Sequence, residues 1–87
     1  MDNVTIIAAF KSRAQTMKLF TAAKQNNIKC SVINTPSEAG TPCGISVSYY
    51  PDAHSYIQRL VWRGGFDGLI GFFRITRTGK KIVAEKL

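Results

Sequence analysis

Covalent chemistry has few places to sit in this chain of 87 residues, which holds two cysteines and one histidine. Cys43 is the first of them. It closes the run Asn34-Thr35-Pro36-Ser37-Glu38-Ala39-Gly40-Thr41-Pro42 and is followed by Gly44. That stretch is far longer than a tight hairpin needs, and long connections in compact domains tend to carry function. Gly44 has no side chain to obstruct a group approaching the sulfur. A cysteine reacts as the thiolate, which nearby cations and a helix N-terminus favour. Two readings of Cys43 stay open: a reactive thiolate, or a small apolar residue capping a strand, inert as buried cysteines commonly are. Cys30 alternates with Ile28 and Val32 and reads as packing, with a resolving role toward Cys43 also open.

Other chemistries lack their residues. His54 falls in the first turn of a helix, on its exposed side and at the opposite sheet edge from Cys43, so no nucleophile–base–acid set assembles. Two cysteines and a histidine at unrelated positions do not make a zinc site, and neither metal nor cofactor is expected. There is no G-x-G-x-x-G and no Walker pattern; Arg63-Gly64-Gly65 reads as a helix end. The expectation is a protein that is not itself an enzyme. Trp62 lies, by helical angle, opposite Ala53, Tyr56, Ile57 and Leu60, beside Ser55, Gln58 and Arg59. A large aromatic there, next to Arg59, fits a partner contact, cover by the C-terminal tail, or an indole folded over the helix edge.

These residues need elements to hold them. Val4 to Phe10 is a short apolar run rich in β-branched residues, a strand and a central one. Ser12-Arg13-Ala14-Gln15 is an S-x-x-Q capping box, in which Ser12 accepts from the Gln15 N–H and Gln15 reaches back. The helix it opens should run to about Asn26, with Thr16, Leu19, Phe20, Ala23 and Asn27 on one face. Ile28 to Asn34 and Ile45 to Tyr49 alternate and read as half-buried strands. Asp52 should cap a second helix whose Ala53, Tyr56, Ile57, Leu60 and Val61 form the apolar face, and Gly64-Gly65 should end it. Leu69 to Ile75 reads as a fourth strand, and Thr78-Gly79 can turn it into a short extension from Lys81 to Glu85.

The order β-α-β-β-α-β points to an α+β, ferredoxin-like sandwich, with two helices on one face of an antiparallel four-stranded sheet and room for a short C-terminal strand. One domain spans 1–87, with a core of about 4–76 and a basic extension over 77–87. In this topology the first two strands are parallel. The end of the second then lies at the same sheet edge as the first helix N-terminus, which brings Lys11, Ser12 and Arg13 toward Cys43.

A net charge of +7 favours anionic partners without choosing among them. Nucleic acid is one, with Phe72, Phe73, Arg74 and Tyr50 as a stacking surface, although Gly71-Phe72-Phe73-Arg74-Ile75 lacks the RNP1 pattern. A bare sheet face carrying Ile and Phe would favour a homodimer. No apolar run approaches the ~20 residues of a membrane span, and the opening lacks a basic signal-peptide region, so a cytoplasmic protein is expected.

Ile33-Asn34-Thr35-Pro36 and Cys43-Gly44-Ile45-Ser46-Val47, within the hydrophobic pattern from about Val4 to Arg74, resemble a small bacterial family described as selenium/sulfur carrier-like. The resemblance implies that Cys43 bears a sulfur or selenium atom, that Thr35, Pro36 and Gly44 shape its loop, and that sulfur- or selenium-transfer enzymes are the partners. Two departures stand out. Thr41-Pro42 directly precedes the cysteine, and the basic stretch Arg74 to Leu87 runs past the family's usual end.

Overall fold

The computed structural model describes residues 3–40 and 44–87. Strand β1 (Asn3–Phe10) leads into helix α1 (Arg13–Gln25), then β2 (Cys30–Asn34), β3 (Ile45–Tyr49), α2 (His54–Arg63), β4 (Leu69–Thr78) and β5 (Lys81–Lys86). The five strands form one sheet in the order β2-β3-β1-β4-β5, every neighbouring pair antiparallel. This is the α+β ferredoxin-like order with a full fifth strand added at the edge. The segment read as a basic extension is therefore part of the sheet, since β5 pairs with β4 from Thr78↔Lys81 to Phe73↔Lys86.

The local signals act much as their chemistry requires. Ser12 is extended and its Oγ accepts from the Gln15 N–H, which opens α1. The reciprocal half of the box is absent: Gln15 Oε1 accepts from the Asp67 N–H instead, because the β4 approach brings a donor to it. At the other end Asn27 takes φ 59, with Ile28 N–H donating to the Ala23 carbonyl and Asn27 N–H to that of Lys24. That is a Schellman stop, and it turns the chain into β2.

The second helix departs more from expectation. Pro51–Ala53 forms a 3₁₀ turn before α2, and Asp52 lies inside it and makes no capping bond. Proline at the first position presets φ, and Ala53 N–H closes the turn on the Tyr50 carbonyl. Three residues per turn before a 3.6-residue helix shift the phase of the apolar face. Ile57 and Val61 are buried, as expected, but Tyr56 is 62% exposed. His54, expected outside, is half-buried, with Nδ1 2.8 Å from the Tyr49 hydroxyl and its ring edge-on to Phe72.

Two apolar clusters sandwich the sheet. Under the helices lie Ile6, Ala8, Phe10, Leu19, Ala23, Cys30, Val47, Tyr49, Ile57, Val61 and Phe72. On the other face lie Ile7, Ala9, Phe73 and Ile75, packed by Ile33, Ala39, Ile82 and Ala84 among others. That second face is not bare. The β2–β3 connection folds across it, and its 3₁₀ turn (Ser37–Ala39) rests against β5. An apolar sheet face is thus buried within one chain, which removes that ground for expecting a homodimer. The aromatic platform expected for nucleic acid is absent as well: Phe72 and Phe73 are buried on opposite faces, leaving only Tyr50 of the three aromatics exposed. Among the described residues, no helix is long and apolar enough to cross a membrane.

Candidate functional site

Cys43 lies outside the described residues, so the site is built from what surrounds the loop. Its two arms are tied at the base. Asn34 pairs with Ile45, Thr35 N–H donates to the Gly44 carbonyl at 3.1 Å, and the Thr35 and Ser46 hydroxyls meet at 2.6 Å. Ser46 is fully buried beneath this connection. Pro36 is extended and starts the 3₁₀ turn; its carbonyl accepts from the Ala39 N–H, and Gly40 ends the turn at φ 67. Threonine serves here because its backbone closes the ladder while its hydroxyl satisfies a buried serine. Of the residues expected to shape the loop, Thr35 and Gly44 touch, and Pro36 directs the chain away from them.

The expected cations are arranged differently. Ala9 and Ile33 both stand opposite Ser46, so β1 and β2 are parallel and leave the sheet at one end, as the topology required. Two strand spacings, about 10 Å, separate them. From there α1 crosses one face while the loop crosses the other. Lys11 N–H donates to the Gly68 carbonyl at 2.8 Å, and the Lys11 stem packs beside Gly68 on the β4 side, away from β3. Lys11, Ser12 and Arg13 are exposed, and no acidic residue occupies the first turn of α1. They share the loop's end of the sheet without sharing its face.

Lys86 is a cation on the loop's face. It pairs across from Phe73, and its stem lies over Gly71, where an added Cβ would come within 2.8 Å of Lys86 Cε. Gly71, Ala9, Ser46 and Ile33 form one cross-strand row on that face. Sequence reasoning placed Lys86 only in a basic tail. Nothing local in Glu85-Lys86-Leu87 could have shown that a strand pairing would turn its side chain over a glycine.

Cys30 is the described cysteine and is 7% exposed. Burial pushes its thiol above the ordinary value, and the Lys24 ammonium pulls back only part of that. It stands at the other end of the sheet, four residues of strand or about 13 Å from the loop base. A cleft of about 260 Å³ opens there, with Lys24, Lys29, Cys30 and Tyr50 in its lining. Among the described residues, no group of three His, Cys, Asp or Glu side chains is placed to hold a metal ion.

Trp62 is 72% exposed, and Arg59 lies on the same side with its guanidinium 5.9 Å from the Tyr56 ring. The C-terminal stretch does not cover Trp62, because it is committed to β5.

No curated protein and no solved structure matches the chain. One family does, over residues 5–67, under the description "Putative Se/S carrier protein-like". The matched stretch runs from β1 through α2 to the approach to β4 and includes the whole β2–β3 loop, while β4 and β5 lie beyond it. The chain belongs to the Se/S carrier-like family.

Proposed function

We propose that this protein carries a sulfur or selenium atom on Cys43 and hands it between transfer enzymes. The observation that carries the reading is the family match, which spans the loop with Cys43 and Gly44. Cys30 is a poor bearer, being buried with its thiol raised. Lys86 supports the same choice by adding positive charge to the sheet face that the loop crosses. The helix N-terminus at Ser12, with Lys11 and Arg13, adds positive field at the same end of the sheet from its other face.

The chemistry is exchange. The Cys43 thiolate attacks the terminal sulfur of a donor persulfide, R–S–SH. A new S–S bond forms to Cys43, the old S–S bond breaks, and the donor leaves as the thiolate R–S⁻. The terminal sulfur keeps its proton, no net oxidation occurs, and a second exchange with an acceptor thiolate reverses the step. The selenium analogue follows the same electron count. No base or oxyanion donor is required of the carrier, which accords with an enzyme site being supplied by its partners.

The test is alkylation by iodoacetamide from about pH 6 to pH 9 on the wild type, Cys43→Ser and Cys30→Ser. Cys43 should react with an apparent pKa below the free-thiol value near 8.5 and faster than Cys30. Lys86→Met should raise that pKa. Reaction of Cys43 no faster than Cys30, or titration as a free thiol, removes the basis of the carrier reading.

A further inference from the structure

Among the described residues, nothing covers the exposed face of α2. We propose that it docks an acidic face of another protein, with Trp62 seated in an apolar recess and Arg59 and Arg63 paired with carboxylates around it. On the helix, Arg59 lies between Tyr56 and Arg63 on one side and Trp62 on the other. Tyr56 and Trp62 are 62% and 72% exposed, whereas Ile57 and Val61 on the opposite side are buried in the core. Trp, Tyr and Arg are the residue types that dominate binding energy at protein interfaces. The Arg59 guanidinium stacks toward the Tyr56 ring, which orients it and leaves its N–H fork open to a carboxylate. Among the described residues neither Arg59 nor Arg63 has an ion pair; the pair that does form, Arg74–Glu85, joins β4 and β5.

Charge selects the occupant. A two-fold pairing of α2 with a second copy would bring Arg59 and Arg63 of both chains together, and Asp52, the exposed carboxylate beside Tyr56 at the edge of the face, sets one negative charge against those two cations in each chain. Single-stranded nucleic acid would stack on the aromatics but also needs a groove of cations along its backbone. The cluster Arg77, Lys80 and Lys81 sits at the β4–β5 turn, level with the start of β1, while Arg63 and Trp62 lead to Leu69, level with its end. Those cations lie at the other end of the sheet, and the nearer ones are engaged, Lys18 by the Gly64 and Gly65 carbonyls and the Phe66 ring and Lys29 by the Tyr50 ring, so they do not line up with Arg59 and Arg63 as a track for a phosphate backbone. An acidic protein surface meets both the charge and the indole.

The proposal uses residues of α2 alone, so the test runs equally well on Cys43→Ser protein and its failure is separate from that of the carrier reading. A random peptide library displayed on phage is selected against the folded protein, with oligo(dT) binding and sedimentation measured in parallel. The selected peptides should be rich in Asp and Glu around Leu, Phe or Met. Their binding should weaken by about tenfold or more in Trp62→Ser and in Arg59→Glu, with circular dichroism unchanged in both. Peptides without acidic bias, or binding indifferent to the two substitutions, overturn the proposal. So does oligo(dT) binding, or a dimer, that is lost in Trp62→Ser.

Discussion

Protonation of His54 leaves Nδ1 able only to donate, so its 2.8 Å bond with the Tyr49 hydroxyl must then run from the imidazolium to the phenol oxygen. The Tyr49 hydroxyl sits in a buried position, where desolvation holds the phenol well above its ordinary range and keeps its proton in place. Burial first, and the Arg74 guanidinium second, lower the His54 pKa from its ordinary 6.5. The unfolded chain therefore takes up the proton before the folded one. Stability from this group is full above about pH 6.5 and is lost as pH falls through that value toward the lowered folded pKa. Urea unfolding across the range from about pH 8 to about pH 5 should show a midpoint that declines in the acid half, and His54→Gln should flatten the decline. An identical pH dependence in the variant would show that His54 is not the group responsible. Sequence periodicity set this histidine outside, since its partners, Tyr49 and Phe72, belong to other elements.

At the scale of elements, helix ends rather than helix faces set the strain. Gly64 ends α2 with φ −88, an ordinary value, so its need is for space. An added Cβ would lie 2.6 Å from Phe66 Cε1 and 2.7 Å from the Leu60 carbonyl oxygen. The carbonyl belongs to the helix and cannot swing away, so Gly64→Ala should destabilise by about 1–3 kcal/mol. Ser12→Ala, losing one exposed capping bond of 3.2 Å, should cost about 1 kcal/mol. Thermal unfolding of the two variants checks the ranking; a Gly64→Ala protein as stable as the wild type would mean that the Phe66 turn relaxes freely. Both ends were legible in the sequence because a cap or a stop is written in four or five adjacent residues. The Lys18 ammonium, 2.8 Å from the Gly64 carbonyl and 4.6 Å from the Phe66 ring, was not, since it reaches there from α1.

Across the whole molecule, β5 does two things at once. It extends the sheet beyond β4, and it gives the β2–β3 loop a surface to rest on, through Ile82 and Ala84 near Ala39. The candidate site is thereby joined to a strand that lies outside the family match. Ile82→Asp should loosen that contact without removing a strand. Hydrogen exchange should then speed up at Ala39 and Gly40, whose amides close the 3₁₀ turn on the carbonyls of Pro36 and Ser37, while the β1 amides stay protected. Unchanged exchange at those two amides would mean that the turn holds itself without β5.

What the sequence by itself determined is the set of features carried by neighbours along the chain: the Ser12 cap, the Gly64-Gly65 stop, the alternation of Ile45, Val47 and Tyr49, and the order of elements that compels the ferredoxin-like arrangement. It also singled out the motif around Cys43 and Gly44 that the family match bears out as a resemblance. Tertiary structure alone decided which surfaces meet. It turned the loop onto the face away from α1, set Lys86 over Gly71 while Lys11 went to Gly68, buried Ser46 against Thr35, and left Tyr56 in water. The division is physical. A turn or cap gains its stabilisation within one loop of a few residues, whereas these placements exist only once distant segments have paid the entropy of coming together, and no residue's own neighbours record that outcome.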